Sequence, residues 1–485
     1  MSQRSRAWRT SRGASKRWPC CLRTARWRGR SIAMHPNALS TVAYFAQSRW
    51  RLAFRDRAKL EAWQQARLAR FLRDVLPRAP YYRDFRNVAI TDLPIMDKSS
   101  MMADFDARNT RGICLGDAFE IALRGETTRD FAPTLGGGAD ALTVGLSSGT
   151  SGNRGVFLVS KAERLRWAGI LLGRVLPAHL LKRLLLPWTP SVRVAFFLRA
   201  NSNLYTTLSS RRIDFGFFDV LSGVEPALPR LNASQPDVLV APPSLLRTLA
   251  GEAAAGRLDI RPSHVISVAE VLEDGDRAAV RHAFGVEPHQ IYQATEGFLG
   301  YTCERGTLHL NESYVHIEPD WIDEARTRFQ PIVTDFTRDT QLIVRYRLND
   351  VLRVSDEPCR CGRVERAIAA IEGRADEVLW LPSRIDGRGV ALYPDLIRRA
   401  MLFAGPSVRE FEVVQSGMQW GVGLLADGDR QVAVERVRAE FEQLWRRLGL
   451  ESPALDFSDW RPPARGVKRR RVRLVAVPEG LACTF

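Results

Sequence analysis

The chain has 485 residues, of which 45% are apolar and 26% are charged, and its formal net charge is +17. This length is enough to bury more than one core, and the composition is typical of a globular protein. No uncharged apolar run reaches the about 18 residues of a membrane-spanning helix, so the sequence predicts no transmembrane segment. The most apolar stretch, residues 170–188, is interrupted by charges and predicts a buried or surface-lying helix.

Positive charge is concentrated at the N-terminus. Residues 1–33 contain ten Lys and Arg and no acidic residue, which is more than half of the net charge. We expect this segment to be a non-native or disordered extension, with Met34 as the true start. The remainder has mixed signs, so nucleic-acid binding is kept only as an alternative function. Seven irregularly placed cysteines without a secretion signal indicate a reducing compartment, and we expect a cytoplasmic protein.

The first third of the chain combines a helical pattern with a glycine-rich loop. Apolar residues recur at three- and four-residue steps over residues 43–76, which predicts a helix ending at Pro77. Residues 146–155, LSSGTSGNRG, predict a turn between two strands. Its glycines and hydroxyl groups are compatible with an ordinary hairpin or with a cradle of N–H groups for phosphate oxygens. It is not a Walker A loop, because no Gly-Lys-Ser/Thr and no helix follow.

Short apolar strands and helices alternate in the middle of the chain, which predicts an α/β layered architecture. The predicted strands are 192–198, 236–241, 264–269 and 290–293, and the predicted helices are 161–176, 245–255 and 274–284. Hairpin-like strands follow at 307–310, 314–317, 331–334 and 341–346. Beyond a boundary near 372–377, the pattern predicts a small α+β region with helices at 394–402 and 432–448 and a strand at 409–415.

Four residues have side chains that suit a metal ion. Five residues separate Cys303 from His309, and one residue separates Cys359 from Cys361. Three thiolates and one imidazole are a standard tetrahedral shell for zinc. Because the set leaves no coordination position open, the sequence predicts a structural zinc site. The alternative is four unrelated buried residues.

Further short motifs follow the glycine loop in order: YQATE at 292–296, YRLND at 346–350, GRAD at 373–376 and GVKRR at 466–470. Together they resemble the core motifs of the adenylate-forming superfamily of acyl-CoA synthetases, adenylation domains and luciferases. The resemblance is closer to the phenylacetate-CoA ligase branch and, within it, to the coenzyme F390 synthetase-related proteins, of which the stretches 93–109 and 196–205 are typical. It covers about residues 40–475.

The resemblance implies an AMP-binding N-terminal domain at 34–372 and a small, mobile α+β domain at 373–485. The implied ATP-binding residues are Ser147, Ser148, Gly149, Thr150, Ser151, Gly152, Arg154, Tyr292, Thr295, Asp350 and Arg374. The implied catalytic residues are Lys468, Thr295, Glu296 and Arg374. Glu296 would hold Mg²⁺, which prefers carboxylate oxygen, Lys468 would reach the reacting carboxylate and α-phosphate, and Asp376 would be the hinge.

The implied substrate pocket lies beside the glycine loop and Tyr292. Its candidate residues are Phe197, Asn201, Asn203, Tyr205, Phe217 and Ala269. The aromatic members of this set suggest an aryl or other flat carboxylic acid as the substrate. The implied reaction is ATP-dependent adenylation of this acid and transfer of the acyl group to a thiol, with coenzyme A as the acceptor. AMP transfer to a hydroxyl group, as in F390 synthetase, is the alternative, and we expect a monomer or homodimer.

The sequence departs from the family pattern in three places. The glycine loop is about one residue shorter than usual and has Arg154 as its only cation. Leu348 and Asn349 replace the usual Thr and Gly before Asp350, and Glu377 replaces a common second Asp.

Overall fold

The computed structural model describes residues 38–85, 88–147, 155–186, 188–198, 211–405, 407–463 and 469–481. Segment 1–33 and several predicted site residues lie outside this part of the chain. These site residues are Ser148, Gly149, Thr150, Ser151, Gly152, Arg154, Asn201, Asn203, Tyr205 and Lys468.

The N-terminal helical region is divided in two. Helices α1 (Ala38–Ala46) and α2 (Arg57–Asp74) are joined through a π-helical turn at Gln47–Arg51. The single helix predicted at 43–76 is therefore wrong, because Asp56 ends the connection by accepting a hydrogen bond from the Ala58 amide at 2.9 Å, which caps α2. The elements that follow are α3 (Lys98–Ala103), α4 (Phe105–Arg108), α5 (Leu115–Thr128), β1 (Leu142–Leu146) and β2 (Val156–Ser160). Strands β1 and β2 pair antiparallel, as predicted for the two sides of the glycine loop.

The middle of the chain forms the predicted α/β alternation. Its elements are α6 (Lys161–Val175), α7 (Ala178–Leu185), β3 (Val192–Leu198), β4 (Ile213–Asp219), α8 (Leu228–Ser234), β5 (Val238–Ala241), α9 (Pro243–Ala254), β6 (His264–Ser267), α10 (Asp274–Phe284) and β7 (His289–Ala294). The strands lie in the order β4-β3-β5-β6-β7 and pair in parallel. The residues of β5 and β6 are all buried, as expected for parallel strands covered on both faces.

Strand β7 joins the parallel strands to an antiparallel extension of the same sheet. The added strands are β8 (Gly297–Thr302), β9 (Leu308–Leu310), β10 (His316–Trp321), β11 (Arg328–Thr334), β12 (Tyr346–Arg347), β13 (Asp350–Val354) and β14 (Ala367–Arg374). They continue the order as β7-β8-β9-β14-β13-β11-β10, with β12 also on β11. The strand predicted at 341–346 is wrong except at Tyr346. The carbonyl oxygen of Ile343 accepts a hydrogen bond from the Asp335 amide, and this bond is not part of a pairing between two strands.

The last part of the chain builds a smaller α+β layer with its own core. Its elements are β15 (Leu379–Pro382), β16 (Gly389–Leu392), α11 (Pro394–Phe403), β17 (Val408–Ser416), β18 (Gln419–Ala426), α12 (Arg430–Leu448), β19 (Ala454–Asp459) and β20 (Val472–Ala476). The two predicted helices and the strand near 409–415 are confirmed. Trp420, Phe441 and Trp445 fill a buried cluster that begins at Leu379, separate from the main core. The predicted fold class is confirmed. Among the described residues, none of the helices has the length and apolar character needed to cross a bilayer.

Candidate active site

A cleft of about 1100 Å³ opens at the carboxyl ends of the parallel strands. Its wall includes residues 267–271, which begin at the last residue of β6, and residues 290–298, which surround the turn between β7 and β8. In open α/β sheets, ligands bind at this edge because successive loops meet there. The cleft also borders the smaller layer through Pro463 and Arg469.

The turn between β7 and β8 consists of Thr295 and Glu296. The carbonyl oxygen of Thr295 accepts a hydrogen bond from Arg338 Nη1 at 2.8 Å, and Nη2 of the same arginine donates to the Leu158 carbonyl of β2 at 3.2 Å. A side chain on Gly297 would come within 3.1 Å of Asp335 Oδ2, so the turn lies directly against that carboxylate. Arg338 therefore links the turn to the strand that leaves the glycine loop. Sequence analysis missed this role, because an arginine in a loop has no motif.

Two tyrosines orient carboxylates at the cleft. The Tyr292 hydroxyl donates to Asp350 Oδ2 at 2.6 Å, and burial together with this carboxylate raises the pKa of Tyr292 well above its ordinary value. Burial and the Glu296 carboxylate, which accepts a hydrogen bond from Tyr346, raise the pKa of Tyr346. Both hydroxyls therefore remain protonated donors.

Asp350 and Arg374 are paired across β13 and β14, so they lie on neighbouring strands at the cleft. We call five of the cleft residues the polar side: Tyr292, Thr295, Glu296, Asp350 and Arg374. Four separate sequence segments supply these residues and the base of the glycine loop, and the structure brings all of them to one cleft.

The two ends of the glycine loop are held together at its base. The Ser147 amide donates to the Gly155 carbonyl at 2.7 Å, and the Gly155 amide donates to Ser147 Oγ at 2.8 Å. A Cβ on Gly155 would lie 3.0 Å from Cε of Lys98, so this lysine packs against the base of the loop. Lys98 also lines the cleft and is the first residue of α3, whose N-cap Asp97 accepts from the Ser100 amide at 2.9 Å. Sequence analysis gave Lys98 no role at the cleft. The capping pattern could have predicted the start of α3, but not the contact of Lys98 with the glycine loop.

The predicted hinge residue is tied to both parts of the protein. Asp376 Oδ1 accepts from Asn349 Nδ2 at 2.7 Å and lies 3.3 Å from Arg374 Nε. Its Oδ2 accepts from Arg470 Nη2 at 2.8 Å. Asn349, which replaces the usual glycine of the family, thus has a direct partner in Asp376.

The opposite wall of the cleft is mainly hydrocarbon. We call it the apolar side, and it consists of Trp167, Ile170 and Leu171 of α6 and Phe196 and Leu198 of β3. Successive side chains of a strand point to opposite faces, so only every second residue of β3 can belong to this wall.

Two of the three described pocket candidates do not line the cleft. Phe197 is buried on the other face of the sheet and stacks on Phe218 with ring centroids 4.7 Å apart. The predicted position of Phe197 is therefore corrected to Phe196, its neighbour on β3. Phe217 lies on β4 next to Phe196 and is outside the described cleft wall. Ala269 does line the cleft, and its φ of 70° is a strained conformation for a residue with a side chain.

The four predicted metal ligands lie together. The ligand atoms of Cys303, His309, Cys359 and Cys361 are all within 4.8 Å of one another. The Sγ atoms of Cys303 and Cys359 are 3.7 Å apart, and Cys361 Sγ is 3.4 Å from His309 Nε2. Tetrahedral zinc bonds require about 3.8 Å between two sulfurs and about 3.5 Å between sulfur and nitrogen. The donor set and its spacing therefore fit zinc.

The surroundings of this cluster orient its ligands. His309 Nδ1 is 2.9 Å from the carbonyl oxygen of Glu365, which directs Nε2 toward the cysteines. The amides of Arg305, Cys361 and Arg363 each point to a cysteine sulfur at 3.4 Å. The Glu365 side chain pairs with buried Arg174 at 2.9 Å, which ties the cluster to α6.

No model of a protein family matches the chain. A phenylacetate-coenzyme A ligase from Thermus thermophilus is 25% identical over 195 residues, which cover 37% of this chain and 42% of the relative. The match thus spans less than half of the relative's length. A structure of 2-hydroxyisobutyryl-CoA ligase in the postadenylation state, with the adenylate R3-HIB-AMP, superimposes with a TM-score of 0.59. It is 15% identical and covers 89% of this chain and 91% of its own.

A second structure of 2-hydroxyisobutyryl-CoA ligase, with 2-HIB-AMP, gives a TM-score of 0.58 at 16% identity. The structural similarity establishes the fold across both layers, and the sequence match supports the branch that the motifs indicate. The chain has the adenylate-forming fold, and within that superfamily it is similar to the phenylacetate-CoA ligase branch.

Proposed function

We propose that the protein is an ATP-dependent acid–thiol ligase that uses coenzyme A. A carboxylate oxygen attacks the α-phosphorus of ATP, the bond to pyrophosphate breaks, and an acyl-adenylate forms. The thiol sulfur then attacks the acyl carbonyl, and AMP leaves with the bonding electrons. The protein contributes orientation and charge stabilisation to both steps.

The polar side supports the nucleotide part of this proposal. Asp350, held by the Tyr292 hydroxyl, offers a carboxylate for the ribose hydroxyls, and the Tyr292 ring lines the cleft beside it. Glu296 offers the carboxylate oxygen that Mg²⁺ prefers, in the turn that also carries Thr295. Lys98 provides a cation at the base of the glycine loop, where the shortened loop has only Arg154.

The apolar side supports an aryl or other flat acid as the substrate. Trp167 and Phe196 belong to this wall, and aromatic rings of a substrate would pack well against such side chains. The substrate carboxylate would then point toward the polar side, where the nucleotide phosphates are proposed to bind.

The single observation that carries the proposal is the convergence of separate motifs on one cleft of about 1100 Å³. The test is a pyrophosphate-release screen against aryl and aliphatic acids, with and without coenzyme A. We expect acid-dependent release, and a thioester only when the thiol is present. A stable AMP ester of a hydroxyl compound would replace the ligase with the F390 synthetase-like alternative. Absence of pyrophosphate release with every acid would contradict adenylation.

We also propose that Cys303, His309, Cys359 and Cys361 hold a structural zinc ion. The four protein ligands fill a tetrahedral shell, so the ion would stabilise the segments around β9 and β14 rather than bind substrate. Metal analysis of protein purified without chelator should give about one equivalent of zinc, and Cys361→Ser should lower both the zinc content and the melting temperature. Less than about 0.1 equivalent in the unaltered protein would rule the site out.

Residues 34–372 and 373–485 are proposed as the two domains of this enzyme, with Asp376 at the hinge. The second buried cluster begins at Leu379, just after the proposed boundary, which supports this division. The contacts of Asp376 with Asn349 and Arg470 support its role between the two parts.

A further inference from the structure

Three consecutive arginines, Arg469–Arg471, follow Lys468 in the sequence. From sequence alone this segment is basic and loop-like, and a solvated tail would account for it. In the structure, however, the side chains of Arg469, Arg470 and Arg471 are only 12%, 18% and 5% exposed, respectively. Charged groups that are withdrawn from water to this degree need close partners of opposite sign.

The outer two arginines share one carboxylate of the smaller layer and reach the larger one. Arg469 Nη1 is 3.1 Å from Glu410 Oε1, and its Nη2 is 3.5 Å from Asp276 Oδ2. Arg471 Nη2 is 2.9 Å from Glu410 Oε2, and the same side chain pairs with Glu273. Asp276 lies in the first turn of α10, and Glu273 is the N-cap residue of the same helix, which is part of the main α/β region.

The middle arginine binds the hinge. Arg470 Nε is 2.9 Å from Glu377 Oε1, and its Nη2 is 2.8 Å from Asp376 Oδ2. Glu377, the residue that departs from the family's second aspartate, is therefore used by this chain as an arginine partner. The three arginines thus connect the start of the β20 segment to acidic groups of the smaller layer, of the main α/β region and of the hinge.

We propose that these arginines form a clamp, with Glu273, Asp276, Asp376, Glu377 and Glu410 as its acidic partners. The clamp is a set of positioning residues: it holds residues 469–471, which directly follow Lys468 in the sequence, beside the cleft during adenylation. It must open before the smaller domain turns for thiol transfer. The inference rests on the proposed ligase function and adds to it the residues that control the change between the two half-reactions.

The distribution of the partners explains why the clamp can act as a switch. Glu273 and Asp276 lie on the large-domain side, whereas Glu410 is carried by β17 of the small domain. Rotation of the small domain would therefore separate the arginines from Glu273 and Asp276 but leave them paired with Glu410. The arginines keep one partner after opening, which lowers the cost of leaving the others. Salt screens these partly buried ion pairs less than it screens surface pairs while the clamp is closed. Opening exposes the charged groups to solvent, where salt screens them, so added salt favours the open state.

Asp276→Asn tests the clamp without touching the cleft, since Asp276 lies outside the described cleft wall and asparagine keeps the shape. The first readout is the ratio of two rates with the acid found in the screen: ATP–pyrophosphate exchange, and thioester formation from the isolated acyl-adenylate. We expect exchange to fall about tenfold, since the buried ion pair of Arg469 with Asp276 is lost, and thioester formation to be unchanged or faster. An equal fall in both rates would overturn the proposal.

The second readout needs no substrate and uses the unaltered protein. Hydrogen–deuterium exchange of the 469–471 amides should rise when the salt concentration is raised from about 0.05 M to about 0.5 M, and should already be raised in Asp276→Asn. Exchange in the α12 core should not change in either case. Unchanged exchange at 469–471 would overturn the clamp even if the ligase function holds. If no acid is adenylated, the ligase function fails while this readout still decides whether the clamp exists.

The matched control is Asp427→Asn, which removes the partner of Arg409 in an exposed ion pair of the same small domain. We expect it to alter neither the ratio of the half-reactions nor the exchange at 469–471, because exposed pairs contribute little. An effect as large as that of Asp276→Asn would show that any lost charge in this domain matters, and would overturn the specific role of the clamp.

Discussion

The polar side and the apolar side of the cleft are held in place in different ways. On the polar side, named atoms fix one another: Tyr292 is bonded to Asp350, and Arg338 holds the Thr295 carbonyl. On the apolar side, the shape of the wall comes from helix α6 packing over the sheet and from which face of β3 each ring occupies. The first arrangement depends on direction and charge, and the second depends on volume.

This difference explains what kind of change each side should tolerate. Hydrogen bonds between buried polar groups fail when one atom is removed, because its partner is left unsatisfied. A hydrocarbon wall loses contact area gradually and can repack around a substitution of similar volume. We therefore expect substitutions on the polar side to abolish or greatly slow adenylation, and substitutions on the apolar side to change the choice of acid.

The largest effects are expected from Glu296→Gln and Lys468→Ala. Each should reduce acid-dependent pyrophosphate exchange about a thousandfold or more, because each removes charge proposed to act on the reacting phosphates. Glutamine at 296 still offers an oxygen to the Tyr346 hydroxyl, so the fold should be retained, which an unchanged melting temperature would verify. Near-normal turnover in both variants would refute adenylation at this cleft.

Lys98→Ala should have the next largest effect. If Lys98 supplies the cation that the short glycine loop lacks, its loss should lower kcat/KM for ATP by about 10- to 100-fold. Lys161→Ala is the matched control, because Lys161 is an exposed lysine that begins α6 just after the same hairpin. Steady-state kinetics with varied ATP measures both. Equal values for the two variants would remove Lys98 from the phosphate site.

A smaller effect is expected from Tyr292→Phe, which keeps the ring and removes the hydroxyl that orients Asp350. We expect the KM for ATP to rise about tenfold, because a hydrogen bond to a charged group is lost. Because the pKa of Tyr292 is raised, its hydroxyl keeps its proton near pH 10. A plot of the KM for ATP against pH should therefore have the same shape near pH 10 for the unaltered protein and for Tyr292→Phe. A KM that does not change would mean that Asp350 needs no orientation by this tyrosine.

The polar side was largely predictable from the sequence, and the apolar side was not. Thr295, Glu296, Asp350 and Arg374 lie in short motifs that resemble those of the adenylate-forming superfamily, and the structure brings them to one cleft. The helix at 274–284 and the strand at 192–198 were likewise predictable, since caps and β-branched runs are local signals. The position of Lys98 at the glycine loop was not predicted, because its contact with Gly155 arises only from tertiary packing.

The face of a buried strand is the clearest limit of the sequence. Strand β3, VRVAFFL, is covered on both sides, so hydrophobicity does not alternate and cannot tell Phe196 from Phe197. Only the register with β4 and β5, together with the helices on each face, decides which ring meets the cleft. Identifying which residues of β3 line the cleft therefore required the fold first.

The smallest expected effect compares these two neighbours directly. Phe196→Leu should change the KM for the acid about three- to tenfold with little change in the KM for ATP, because Phe196 is part of the cleft wall. Phe197→Leu should instead lower the free energy of unfolding by about 1–2 kcal/mol and leave both KM values unchanged, because its ring packs on Phe218 away from the cleft. Denaturant unfolding and steady-state kinetics on both variants separate the two outcomes. If Phe197→Leu altered acid selectivity as much as Phe196→Leu, the assignment of the β3 faces would be reversed, and the apolar side would have to be rebuilt around the other face of the sheet.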